Sequence, residues 1–397
     1  MRSATSKLST LTTSTTSTTS TITTTSTTST TSTTWTTSTT STTSKITTTS
    51  TTSTTSRITT TYMPSRWLNT SSMSFSRDGH TASILSNGKV LVAGGFGNSG
   101  YATSAELYDP STELWTITGN INVIRSGHTA SVLTNGKVLI VGGDNGSRPV
   151  DSAELYDAST GLWTQTGRMS FGRHSHTASV LTNGKVLVAG GFDVNGWLNS
   201  AELYDPSTGR WTRTGNMNVE RFLHTQSVLT NGKVLVAGGY GFSFDLNSAE
   251  LYDPSTGVWT MTGNMSFPRN DHTASVLTNG KVLVASGQGR GNYINSAELY
   301  DSSTGFWTTT GSLNVARFSH RATILTNGKV LVTGGLTYHG YSTSAELYDP
   351  STGLWTTTAN MSIARYSHTA STLSNGKVLV VGGFWNSYFL DSAELYT

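Results

Sequence analysis

The segment Arg125–Trp163 reads R-S-G-H-T-A-S-V-L-T-N-G-K-V-L-I-V-G-G, then D-N-G-S-R-P-V-D, then S-A-E-L-Y-D-A-S-T-G-L-W. The chain writes this pattern seven times. The Asn of the N-G-K turn stands at Asn87, Asn135, Asn183, Asn231, Asn279, Asn327 and Asn375, always 48 residues apart, and Trp67, Trp115, Trp163, Trp211, Trp259, Trp307 and Trp355 keep the same interval. A fixed period of this length predicts an array of supersecondary units, each burying its faces against the next.

Within one unit, His128 to Leu133 leads into Asn135-Gly136, a pair suited to positive φ at both centres of a tight hairpin turn. The continuous run Val138 to Val141 predicts a strand buried on both faces, and Gly142-Gly143 a place where backbone approaches closely or the chain exits sharply. Ser152 to Asp157 predicts a third strand with Ala153 and Leu155 on one face and Glu154 and Tyr156 on the other. A turn A-S-T-G follows, D-P-S-T-G in several copies, and Trp163 opens a fourth strand. Four short antiparallel strands per period make one propeller blade, so the fold class is all-β, a seven-bladed propeller.

A hydrophobic run ending in Gly-Gly, followed by spaced Tyr and Trp, resembles the kelch repeat, and the resemblance covers residues 62–397. Two copies depart from it: Ser286 replaces the first Gly of the fifth doublet, and Glu113 the turn Gly seen at Gly161. The stretch H-T-A-S-V-L-T-N-G-K-V-L-V-A-G-G is also similar to blades of galactose-oxidase-type propellers, which have seven blades. That resemblance implies a copper site with a tyrosine cross-linked to cysteine, and this chain has no cysteine, so the likeness is one of architecture. No cofactor and no metal site is expected.

Residues 1–61 are nearly all Ser and Thr, a composition that cannot bury enough apolar surface to order itself. They are expected to form a disordered tail, either an O-glycosylated stalk or a plain spacer. Residues 62–397 are 336 positions, seven periods of 48, yet the last copy stops at Tyr396-Thr397 after its third strand. Arg66 to Asn69 supplies the missing fourth strand from the other end, which closes the ring. The tail carries four of the 25 basic residues and no acidic one, leaving 21 basic against 22 acidic in the propeller. A nucleic-acid role is therefore not expected. No run is long and apolar enough to span a membrane, and no apolar segment marks a secretory signal. The Ser/Thr tract turns the expectation toward an extracellular or cell-surface setting, with the chain a monomer or one domain of a larger surface protein. Four N-x-S/T sequons, at Asn69, Asn145, Asn264 and Asn360, are no more than such a composition yields by chance.

Arg and His recur three apart from Arg77/His80 to Arg365/His368, and Glu recurs in S-A-E-L-Y from Glu106 to Glu394. Equal numbers predict that each Arg pairs with a Glu of its own or an adjacent blade, with each His capping a strand entrance. Seven copies spread round a ring cannot converge on one metal ion. The Gly-rich stretch 287–291 has no following helix to bind phosphate and reads as a blade loop, while His174 and His339, outside the repeat position, read as surface residues.

Function is expected where copies differ. The N-G-K and D-P-S-T-G turns share one uniform face; the loops after Gly-Gly share the other with the connections between blades. The seven eight-residue loops, starting at positions 96, 144, 192, 240, 288, 336 and 384, hold 14 aromatics in 56 positions, against 9% for the whole chain. That enrichment predicts a non-catalytic binding module for a protein or carbohydrate. The candidate residues are Trp197, Phe242 and Phe244 in one cluster and Tyr338, Tyr341, Trp385, Tyr388 and Phe389 in another, with Arg148, Arg290 and Tyr293 beside them. The competing role for such rings is to fold down over the blade edges. The alternative function is an enzyme with its site at the mouth of the central channel.

Overall fold

The computed structural model describes residues 65–242 and 244–397, together with the backbone of Thr21–Thr28 and Thr54–Thr61. The chain divides into two units, Met1–Ser65 and Arg66–Thr397. In the first, Thr21–Thr28 runs antiparallel to Thr54–Thr61, a pairing that β-branched Thr and Ile suit. The rest of the expected disordered tail lies outside the described residues.

The second unit is the predicted propeller. Blade two shows the plan: Thr129–Val132, Val138–Val141, Ala153–Asp157 and Leu162–Gln165 pair in that order, all antiparallel. Blade seven takes its fourth strand from Trp67–Asn69, with Trp67 opposite Tyr396, Leu68 opposite Leu395 and Asn69 opposite Glu394. The ring closes as the broken last repeat required. Among the described residues no helix is long and apolar enough to cross a membrane.

There is no single core. Seven apolar clusters each sit between two blades, which is why the second strand of every blade is apolar at successive positions. In blade two, Val138 and Ile140 pack toward blade one, whereas Leu139 and Val141 pack toward blade three. The third strand divides likewise, Tyr156 going to the first cluster and Ala153 to the second.

Polar side chains pin this packing together. Each Arg reaches the Glu of its own blade, as in Arg125 Nη2 to Glu154 Oε1 at 3.0 Å with both side chains wholly buried. Arg125 Nη1 also donates to the carbonyls of Gly142 and Ser152, at 2.7 and 3.0 Å. Glu154 in turn accepts the backbone N–H groups of Asn122 and Val123, so the pair clips the incoming connection onto the blade. The histidines do something other than cap their own strands. His128 Nε2 meets Thr81 Oγ1 of the preceding blade at 2.9 Å, and the same His–Thr link recurs at five more junctions. The reason is the glycine doublet: a Cβ on Gly94 would lie 2.8 Å from Arg125 O and 2.9 Å from His128 Cε1. The doublet is thus the gap through which the next blade's Arg-x-x-His segment approaches.

Candidate functional site on the variable face

The loops after Gly-Gly are more regular than their sequences. In blades one, three, five, six and seven they fold as tiny hairpins, pairing Phe96 with Tyr101, Phe192 with Trp197, Gln288 with Tyr293, Leu336 with Tyr341 and Phe384 with Phe389. An aromatic therefore recurs at the sixth residue after the doublet, and each such side chain leans on the next blade. Tyr101 Oη donates to Asp144 Oδ1 at 3.2 Å, and Trp197 meets Phe242 edge-on with centroids 5.6 Å apart. Tyr293 stacks on Tyr338 at 4.5 Å, Tyr341 on Tyr366 at 5.6 Å, and Phe389 meets Phe96 edge-on at 5.3 Å. Trp197, Tyr293, Tyr341 and Phe389 thus commit much of their area to neighbouring blades. The signal was available in sequence as the fixed offset from the doublet.

Other rings face solvent. Phe242, Phe244, Tyr338 and Tyr388 are 62–65% exposed and Trp385 41%. The two clusters read from sequence regroup: Tyr338 joins Tyr293 rather than Trp385, and Phe242 caps Trp197.

Two of the candidates converge on a groove between blades four and five, about 750 Å³ in volume. Phe222, Tyr240, Phe244 and Pro268 give it apolar walls, while Asn247, Asn270, Gln288 and Arg290 bring polar groups. Asp245 organises the groove. Its Oδ1 accepts Asn270 Nδ2 and its Oδ2 accepts the backbone N–H of Arg290, both at 2.5 Å. Arg290 sits at φ +52°, so this carboxylate holds the tip of the fifth hairpin in a conformation that side chains rarely adopt. A second groove, about 740 Å³ between blades seven and one, is lined by Tyr388, Phe389, Tyr101, Phe75 and Asn98. Arg148 lines a third, smaller one between blades two and three, near the exposed Arg168–Asp151 ion pair.

The channel mouth holds residues that comparing the loops alone did not find. The residue before each ring His is Gly79, Gly127, Ser175, Leu223, Asp271, Ser319 or Ser367, all at φ between +48° and +63°. Six consecutive backbone bonds join them round the mouth, from Gly127 N–H to Gly79 O at 2.9 Å through Ser367 N–H to Ser319 O at 3.0 Å. Just outside lie Asp78, whose carboxyl burial pushes up to about 6, and His174, whose imidazole burial pushes down. His174 packs at a tilt against Phe192, centroids 5.6 Å apart, and bonds Ser175 Oγ at 3.0 Å, so it belongs to the mouth rather than to open surface. Among the described residues no three His, Asp or Glu side chains are grouped to hold a metal ion.

With this geometry in view, three comparisons locate the chain among known proteins. A family model described as the KLHDC2/KLHL20/DRC7 Kelch-repeats domain matches residues 41–239, and the Kelch motif matches 221–266 and 317–362. No curated protein sequence matches significantly. Among solved structures, the chain is similar to a novel fungal alcohol oxidase of the AA5 family in complex with copper, at 18% identity and a TM-score of 0.69 over 84% of this chain and 76% of that one. It is also similar to YjhT, at 18% identity and a TM-score of 0.58 over 73% of this chain and 99% of that one. At such identity these two likenesses concern the fold alone. The family-model matches, one of them over half of the chain, together with the Gly-Gly doublets and the closed ring of seven blades, place the chain in the kelch-repeat family.

Proposed function

We propose that the chain is a non-catalytic interaction module whose variable face takes a protein segment in the groove between blades four and five. The observation that carries this reading is the convergence there of an exposed ring, Phe244, with Arg290, Asn270 and Gln288 over one carboxylate-braced floor. An apolar wall beside one held amide, Asn270, and the exposed guanidinium of Arg290 suits a recognition groove. The exposed rings of Phe242, Tyr338, Trp385 and Tyr388 extend the same face beyond the groove. Amide side chains next to aromatic rings also suit a carbohydrate, so a glycan is the second reading.

Enzymatic action at the channel mouth is the weaker alternative. The seven ring histidines are engaged in holding blades together, and the Asp78 carboxyl has no partner acid beside it in the ion pairs or hydrogen bonds of the mouth. A protein and glycan array screen of the full chain tests the proposal. Hits that weaken when Phe244→Ala or Arg290→Ala is introduced support it. Hits indifferent to both variants move the site elsewhere.

A further inference from the structure

Blade six breaks the ring of His–Thr links in a particular way. Its first strand begins with Arg321 where six other blades have Thr, so His368 has no threonine at the usual place. His368 Nε2 turns instead to Thr333 Oγ1 at 2.8 Å, in the second strand of the same blade. Position 333 is Ala or Val in the other six copies. Two departures therefore occur together, and the second restores the bond that the first removes. The effect is to free the Arg321 side chain from the duty of its position while keeping the blades joined.

Arg321 does not use its charge to make an ion pair. Nη1 donates to His320 O at 3.1 Å, and no carboxylate among the described residues lies within ion-pair distance. Its closest acidic influence is Asp271 of the channel mouth, whose carboxyl accepts the Ser319 hydroxyl. Arg321 opens the first strand of blade six, which packs between the first strands of blades five and seven, two residues after Ser319 of the bonded ring at the mouth. Arg321 is half-buried, and the next residue along its strand, Ala322, lines the space between the first strands. Along the same first strands, toward the N-G-K face, lies a cavity of about 670 Å³ lined by Ala82, Ala322, Thr323 and Thr372 among others.

We propose that Arg321 makes the axial channel a binding site for a small carboxylate, held by the guanidinium N–H groups that no protein acceptor engages. A planar guanidinium with free donors matches a carboxylate in shape and charge, and enclosure strengthens the contact. Burial pushes the Asp271 carboxyl up and the guanidinium of Arg321 down, and an anion on Arg321 offsets the cost of keeping that guanidinium charged. The site is separate from the groove of blades four and five and stands or falls independently of it.

Acetate is the probe, followed by saturation-transfer NMR on the full chain, with chloride keeping the ionic strength constant. The expected result is transfer to the acetate methyl group at millimolar affinity. Arg321→Thr combined with Thr333→Ala recreates the Thr and Ala pair of blades one, three, four and five, so the fold has a precedent within the same molecule. It should weaken acetate binding by about tenfold or more, since a charge-assisted pair is lost. Arg321→Gln, which removes the charge and keeps much of the length, should show the same loss. No transfer to acetate with the unaltered chain, or equal transfer with all three proteins, overturns the proposal.

Discussion

At the residue scale, the departures from the repeat are the informative positions. Glu113 replaces a turn glycine and keeps its conformation, at φ +58°. Six N-G-K lysines pair with the Asp of their own blade, such as Lys89 with Asp109 at 3.1 Å. Blade seven has Thr397 where that Asp would stand, and Lys377 crosses to Glu113 of blade one at 3.0 Å. Ser286 likewise keeps the φ of the glycine it replaces, and its hydroxyl donates toward Ile294 O at 2.7 Å and Arg317 O at 2.8 Å. The Arg–Glu clip is the residue-scale element with the largest stake. Arg221 Nη2 lies 2.9 Å from Glu250 Oε1, both wholly buried, so Arg221→Ala leaves a carboxylate without its counter-charge. The expected loss is roughly 3–5 kcal/mol in denaturant unfolding. A loss below about 1 kcal/mol, the range of exposed pairs, would contradict the burial argument.

At the element scale, adjacent blades are joined by neutral histidines. Burial is the main cause of their low basicity, which in His128 falls to about 3. In the unfolded chain the same groups take up protons near pH 6.5. Between these values the unfolded state binds more protons, so stability rises with pH and falls as pH drops below about 6.5, with the loss complete only near the folded values. Asp78, raised to about 6, and Asp271, also raised by burial, work in the opposite direction, but they are two groups against seven. Melting temperature measured from pH 7 to pH 4 should therefore fall steeply. A flat profile would mean that the histidines are not neutral and enclosed. Strand order and blade count were legible in the sequence because a 48-residue period repeats every packing constraint seven times. The partner of each His was not, because that contact joins residues 47 apart across a blade junction, and the repeat pattern alone does not say which blade supplies it. The regrouping of loop aromatics was hidden for a related reason: the ring at the sixth place after Gly-Gly looks like surface until hairpin pairing turns it to the next blade.

At the scale of the whole molecule, closure is the vulnerable feature. Removing residues 1–61 should leave the melting temperature almost unchanged, because the strand that completes blade seven, Trp67–Asn69, is kept. Removing 1–70 takes away Trp67, Leu68 and Asn69, and with them the fourth strand of blade seven. It should lower the melting temperature strongly, since an open ring exposes a strand edge and part of an interblade cluster. Equal melting temperatures for the two truncations would contradict the closure.

The two faces of the closed ring carry different information, uniform Lys–Asp turns on one and variable hairpins on the other. Truncating a hot-spot ring such as Phe244 to Ala should cost about 2 kcal/mol or more of binding, whereas Lys137→Ala should leave affinity unchanged. The most direct measurement of that claim is a hydrogen-exchange footprint of whatever ligand an array screen identifies. The account predicts slowed exchange at 240–242, 244–247 and 288–291, with the N-G-K turns unaffected. Protection confined to those turns, at Gly88, Gly136 and their equivalents, would contradict it.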